Sequence, residues 1–465
     1  MTMGKVSRVI VAFFLAMAGG SLQAQTRSPI EPQSEWTLAT VGDVIMNRRL
    51  NQFDHPGDPA FHEMANLVRS ADAGFLNLEQ SVFRLEEFEG WPAAENGGNY
   101  EVASPETLVD LEALGFDLFN RANNHTTDYG VAGMLATNRL LDELGLVHSG
   151  SGVNLGWASR PAYLETPKGR IALIGMASTH TPMSRAGAPS PAIGGRPGLN
   201  AVRLERRLEA TPATMDVLRE TARAYGASPS DDPSDPVRVL GTTVYPGPSD
   251  VAIVTVNPLD RERILNETRN AAGLADYVVV NSHSHEPGNA SMTPPEWMVG
   301  FAREIIDAGA NTVAIHGPHQ LRGIEIYRGR PIFYSLGNFI FQNETIDPMP
   351  ADQTERYGLP LGALGSEVYD ARFQVDEEGN PTTGFPTEAR WYESVVAVSR
   401  FEGDELVELR LYPIELGWRA PRSQRGTPRM APEPLGRKII EHLAELSEPF
   451  GTVIVYENGV GIWRK

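Results

Sequence analysis

The chain contains no cysteine in 465 residues. Disulfides, thiolate metal ligands and cysteine nucleophiles are therefore excluded, and any metal must be held by His, Asp, Glu or Asn. Positive charge is scarce too: 40 Lys and Arg against 59 Asp and Glu leave a net charge of −19. That balance argues against nucleic acid or anionic lipid as a partner, and it means that an anionic substrate needs cations concentrated locally. Beyond residue 24 no uncharged apolar run approaches the length of a bilayer span, so no stable membrane span is expected in the mature chain. Internal repeats and low-complexity tails are absent as well.

What is present is a chain that is 41% hydrophobic, long enough for one large domain or two ordinary ones. Lys5 and Arg8 precede the apolar run Val9 to Ala18, and small and polar residues lead to Leu22-Gln23-Ala24. This pattern of charge, apolar core and small-residue cleavage site predicts a signal peptide over 1–24 and a secreted or periplasmic location.

Downstream, short apolar runs alternate with helical patterns, which predicts an α/β fold. WTLATV (36–41) ends in Gly42-Asp43, and AGFLNL (73–78) brings Asn77 and Glu79 to one side of a strand end. A third strand near 116–120 runs into RANNHTTDYG (121–130). The β-branched YVVV (277–280) ends in NSHSHE (281–286), where His283 and His285 alternate to the same side. In GANTVAIHGPHQLRGIEIYRGRPIFYSLGNFIF (309–341), His316 and His319 flank a Gly317-Pro318 turn between strand patterns. Residues 181–250 change character, rich in Pro, Gly, Ser and Ala with one charged helix near 201–225, and read as an insertion or lid. A polar, Pro-rich excursion runs from 342 to about 390, followed by a hairpin over 394–401 and 405–412.

Five of the ten histidines (125, 283, 285, 316 and 319) stand at predicted strand ends together with Asp43, Glu79 and Asn124. In an open α/β sheet such ends gather along one edge. The candidate metal ligands are Asp43, Asn77, Glu79, Asn124, His283, His316 and His319, a set suited to one or two divalent ions such as Mn, Zn or Fe. Ions of this kind lower the pKa of bound water to roughly 7. His125 beside them is the candidate proton donor to a leaving group, a role usually worth about 10² to 10⁴ in rate. Arg48, Arg121, His285 and Arg322 are the candidates for substrate binding, since guanidinium grips carboxylate or phosphate in a two-pronged manner. Each of these residues also has a plainer reading, as a cap, a turn or a surface ion pair.

The order of VGDVIMNR (41–48), ADAGFLNLE (71–79), GFDLFNRANNHTTDYGVAG (115–133), RPGLNAVRL (196–204), NSHSHE and the 309–341 stretch resembles the CapA family of capsule and poly-γ-glutamate synthesis proteins, which belongs with the calcineurin-like metallophosphoesterases. The resemblance implies a four-layer α/β/β/α sandwich of the metallophosphoesterase type with a dimetal site at the sheet edge. It assigns 35–345 to the main domain, 181–250 to a lid-like insertion, and 346–465 to a C-terminal extension completing the second sheet. Asp43 matches the first metal-binding aspartate, and Asn77 or Glu79 the bridging one. Asn124 and His125 match the asparagine-histidine pair, His283 the next histidine, and His316 and His319 the last pair. Where the wider superfamily has a histidine two residues after the first aspartate, this chain has Ile45; His285 either supplies the missing imidazole or lines the pocket. The implied function is a secreted metal-dependent hydrolase of an anionic polymer or envelope component such as poly-γ-glutamate. A phosphomono- or phosphodiesterase and a non-catalytic polymer-binding accessory are the alternatives.

Overall fold

The computed structural model describes residues 35–50, 58–93, 98–377 and 381–465. The expected signal peptide at 1–24 lies outside the described residues. No helix among those described is long and apolar enough to cross a membrane.

Three parallel strands begin the fold: β1 (Trp36–Ile45), β2 (Ala73–Leu78) and β3 (Leu118–Asn120). Between and after them run helices α1 (Pro59–Arg69), α2 (Glu106–Ala113) and α3 (Gly130–Leu144). Pro in the first turn of α1, where the N–H would lack a partner anyway, and Gly145 at φ 73 after α3 supply the expected start and stop signals. A second parallel set follows: β4 (Gly169–Ala177), β5 (Tyr277–His283) and β6 (Thr312–His316), with helices α4 (Pro258–Ala272) and α5 (Glu296–Asp307). Strand β7 (Asn338–Phe341) returns to pair with the end of β1. Helix α6 (Gly365–Arg372) lies in the polar excursion, and the hairpin β8 (Glu393–Glu402) and β9 (Glu405–Glu415) comes after it.

The strands form a ten-stranded sheet, whose central order is β9-β8-β1-β2-β3, and a six-stranded sheet around β6-β5-β4. Side-chain alternation sorts each strand between two apolar clusters. Trp36, Leu38, Phe75 and Leu118 of the first sheet share a cluster with Leu173, Tyr277, Val279 and Ala314 of the second. The other face of the first sheet (Ala39, Val41, Leu76, Phe119) packs with Phe61, Met64, Leu108 and Leu141 of its helices. On the second sheet Ile174, Val278, Val280 and Val313 pack with Ile264, Phe301 and Ile305.

Two expectations are corrected. The C-terminal hairpin does not extend the second sheet: β8 pairs antiparallel with β1 in the first, where Phe401 stacks on Trp36 at 4.9 Å. Within 181–250 the charged segment LERRLEA is a strand, Leu204–Ala210, and the helix begins only at Pro212. Its helix-forming composition yields to pairing with the β-branched strand Val251–Val256 in a separate four-stranded sheet.

Candidate metal centre

Register brings the polar strand ends into rows. Across the first sheet Asn338, Asp43, Asn77 and Asn120 are neighbours; across the second, Ala177, His283 and His316. Gly42 is required at the head of the first row, because a Cβ there would meet the Gly337 carbonyl oxygen at 2.0 Å. That carbonyl accepts from the Asp43 N–H at 2.9 Å and fixes its direction. The two rows meet at Asn77, whose Nδ2 donates to Asp43 Oδ1 at 2.8 Å and lies 3.1 Å from His283 Nδ1.

Glu79 stands at the centre. It is fully buried, and among the described residues neither carboxylate oxygen accepts a hydrogen bond. Around its Oε1 stand the Nε2 atoms of His283 at 3.4 Å, His319 at 3.9 Å and His285 at 4.0 Å. Asp43 Oδ2 accepts from the Gly317 N–H at 3.0 Å and lies 3.6 Å from His319 Nδ1. Two ligand groups result, Glu79/His283/His285 and Asp43/Glu79/His319, each with its donor atoms within 4.8 Å of one another. Bonds of about 2.0–2.2 Å to a zinc-type ion hold its donors roughly 3–4 Å apart, so these spacings fit. Burial, and after it the charge of Asp43, pushes the Glu79 carboxyl well above its ordinary range.

The imidazoles are prepared for ligation by the groups behind them. The Asn338 amide nitrogen donates to the carbonyls of His319 and Trp391 at 3.0 and 2.9 Å, so its oxygen faces His319 Nδ1 at 2.9 Å and accepts from it. His285 Nδ1 donates in the same way to Asn289 Oδ1 at 2.7 Å. Both rings thus present a bare Nε2 toward Glu79. Burial holds His285 and His319 down at about 4 and pushes His283 well below its ordinary value, which keeps the rings neutral. His285 Nε2 is also 3.1 Å from His283 Nε2 and 3.3 Å from Asn124 Oδ1. The bare Nε2 atoms of His285 and His319 converge on a buried carboxylate, a donor set that suits a divalent cation.

Beside this group His125 Nδ1 donates to Asp128 Oδ2 at 2.7 Å, and the same oxygen accepts from the Glu101 N–H at 2.8 Å. Burial lowers the His125 pKa, but Asp128 and Glu101 outweigh it and leave the imidazole above its ordinary value. Glu101 is itself pushed up to about 7 by burial. Asn124, His125, His285, His319, Glu101 and Arg372 line a cleft of about 160 Å³. Phe341 and Phe385 pack against the His319 ring, with centroids at 5.6 and 5.5 Å.

Residues 37–343, which include every ligand named above, match the family described as "Bacterial capsule synthesis protein PGA_cap". The chain belongs to this family. An uncharacterized protein of Sinorhizobium fredii, y4sH, is 43% identical over 444 residues, covering 92% of this chain and 93% of its own. The capsule biosynthesis protein CapA of Bacillus anthracis is 25% identical over 336 residues, 71% of this chain and 66% of its own. The PGA biosynthesis protein CapA of Bacillus subtilis is 26% identical over 304 residues, 65% and 62%.

In this PGA_cap chain Asp43, Asn77, Glu79, Asn124, His283, His285 and His319 come together, with His125 at their side. His316 does not join them. Its Nε2 donates to the Val41 carbonyl at 2.8 Å, and its Nδ1 takes the Asn281 amide, so no lone pair remains for a metal. The turn explains the divergence: Gly317 at φ 116 and His319 at φ 59 are left-handed and rotate the two rings apart. The three arginines are likewise spent on structure. Arg48 binds the Arg425 carbonyl at 2.8 Å and the Thr345 hydroxyl. Arg121, fully buried, caps the carbonyls of Leu78 at 3.0 Å and Gln80 at 2.5 Å. Arg322 pins the loop after His285 through the carbonyls of Glu286, Gly288 and Ser291. Ile45 lines the cleft. Sequence reasoning missed Glu101, Asn289, Asn338, Arg372 and Phe385. Asn338 was within reach, as the polar residue of SLGNF in register with Asp43; Arg372 and Phe385 sit in a segment without periodicity and gave no signal.

Proposed function

We propose that this chain is an exported metal-dependent hydrolase of an anionic polymer or envelope component such as poly-γ-glutamate, acting in capsule or poly-γ-glutamate metabolism. The observation that carries the reading is Glu79, a fully buried carboxylate without a hydrogen bond among three imidazole Nε2 atoms. A divalent ion, one or two of Mn, Zn or Fe, would supply Lewis acidity and an acidified water at this site. Asp43, Glu79, His283, His285 and His319 hold it, and Asn77 and Asn124 orient the ring nitrogens and carboxylates. His125, kept protonated by Asp128, delivers its Nε2 proton to the leaving group from the wall of the cleft. Arg372 lines the same cleft beside Glu101 and His125. The names of the Bacillus relatives support the polymer.

The same reading includes a four-layer α/β/β/α sandwich, supported by the sorting of alternate side chains into three clusters. It includes a main domain at 35–345, residues 181–250 as a lid, 346–465 as an extension, and a secretory leader at 1–24. Ile45, in place of a histidine, favours a second reading as a polymer-binding accessory without catalysis.

The test is to load purified protein with Mn²⁺ or Zn²⁺, count ions per chain by plasma mass spectrometry, and follow poly-γ-glutamate length on gels beside p-nitrophenyl phosphate hydrolysis. Bound metal and shortening of the polymer, lost in His125→Asn, are expected. Cleavage of the phosphate ester alone moves the substrate to phosphoesters. Absence of metal at saturating concentration refutes the hydrolase and leaves the accessory.

A further inference from the structure

A second groove, of about 490 Å³, adjoins the cleft and shares Thr179 with it. Its floor is the turn at 178–180 after β4, and its wall is the strand Leu204–Ala210 of the small four-stranded sheet. Three arginines line it with His180, Glu205 and Glu286, and with Asp260 behind Arg203 the carboxylates equal the guanidiniums in number, so what matters is how they pair. The arginines are not equivalent. Arg203 is neutralised by Asp260, with Nε to Oδ2 at 2.7 Å and Nη2 to Oδ1 at 3.1 Å. Arg206 pairs with Glu286, the residue after His285. Arg185 is half-buried and donates from Nε to the Pro182 carbonyl at 3.3 Å; it forms no ion pair among the described residues. A guanidinium steered by one backbone carbonyl and left without a carboxylate is a built receptor for a carboxylate brought from outside.

We propose that this groove is a second anion subsite, which binds the carboxylate of the unit next to the one held in the metal cleft when the substrate is an extended polyanion. The identity of the ligand rests on the function proposed above; the subsite itself rests on Arg185 and on Thr179, which lines both the groove and the cleft. The small sheet then acts as a length selector. It contributes Arg203 and Arg206 to the groove and no ligand to the metal centre, so a single anionic unit is served by the cleft alone while a longer chain gains the second contact. Arg206 keeps Glu286 as its partner and holds that carboxylate away from the incoming one, whereas Arg185 gains a partner outright.

The experiment compares γ-linked oligoglutamates of two and ten residues, fluorescently labelled, binding to the purified full chain before metal addition, by anisotropy in low salt. The decamer is expected to bind at least ten-fold more tightly than the dimer. Arg185→Glu with Arg206→Glu is expected to abolish that preference while dimer binding stays unchanged; the paired lysine variants retain part of it. Equal affinity for both lengths in the unmodified chain, or a preference that survives the glutamate variant, overturns the subsite. Failure of the hydrolase reading looks different: the length preference remains and the metal-loaded protein leaves the polymer intact. Binding of neither length overturns the subsite, and the hydrolase reading is decided separately by the metal-loaded assay.

Discussion

Replacing Glu79 by Gln preserves the shape of the buried side chain and removes its charge, and the two consequences have opposite signs. In the metal-free protein the carboxylate is a liability, because it is fully buried, accepts no hydrogen bond and shares its site with Asp43. Its folded pKa is raised above the ordinary 4.5, so the folded chain holds a proton that the unfolded chain releases. The Glu79 contribution to metal-free stability therefore falls as pH rises from 4.5, opposite in sign to that of the buried histidines, and glutamine removes that contribution. Relief of an unsatisfied buried group is worth about 1–3 kcal/mol near neutral pH. With metal the sign reverses. An ion at 100 times its Kd stabilises the native state by about 2.7 kcal/mol. An unfolding entropy of ~2.1 cal/mol/K per residue over 465 residues is about 1 kcal/mol/K, so saturating Mn²⁺ or Zn²⁺ raises the wild-type Tm by about 3 °C. Scanning calorimetry with chelator and with metal is expected to show Glu79→Gln melting at or above the wild type without metal and failing to respond to it. A variant that loses several degrees in chelator yet still gains from metal would refute the assignment of Glu79 as a ligand.

The two histidines of the HGPH turn are expected to separate cleanly. His319→Gln abolishes the metal-induced rise in Tm, whereas His316→Gln keeps it and lowers stability by about 1–3 kcal/mol, because the buried Val41 carbonyl loses its donor. His125→Asn is expected to cost about 10² to 10⁴ in rate at unchanged metal content. The His125 pKa is raised above 6.5 by Asp128 and Glu101, so wild-type turnover declines as pH rises through that higher value, and Asp128→Asn moves the decline to lower pH. Acid acts on the other rings. His285 and His319 stay neutral in the fold down to about 4 while the unfolded chain takes up protons near 6.5, so urea midpoints of metal-free protein are expected to fall between pH 6.5 and about 4.

Much of this site was legible because period-2 alternation and polar strand ends are local signals. WTLATVGD, AGFLNLE and YVVVNSHSH each state which residues face the core and which residue ends the strand, and parallel register then lines up Asp43, Asn77 and His283. What was misread depends on partners distant in sequence. LERRLEA favours a helix until Val251–Val256 is available to pair with it. His316 and His319 look equivalent at a spacing of three, and only the left-handed turn between them sends one to a backbone carbonyl. Arg48, Arg121 and Arg322 looked available in an acidic chain, yet the carbonyls at the ends of strands and in the 286–291 loop need donors as much as any substrate does. Arg372 and Phe385 arrive on a polar excursion where neither period operates, so nothing in their neighbourhood marked them. The hairpin was readable from its Glu402-Gly403-Asp404 turn, but its sheet was decided by Phe401 finding Trp36.

Because β1 is flanked by β2 on one side and by β8 on the other, the second strand of the chain to be synthesised borders the first, while its other neighbour is among the last. A chain ending at residue 390 keeps β7 beside Asp43 but leaves an open edge along Trp36–Thr40. The candidate ligands are thus complete in the sequence by His319, while the strand that carries Asp43 gains its second full-length neighbour only from the C-terminal hairpin.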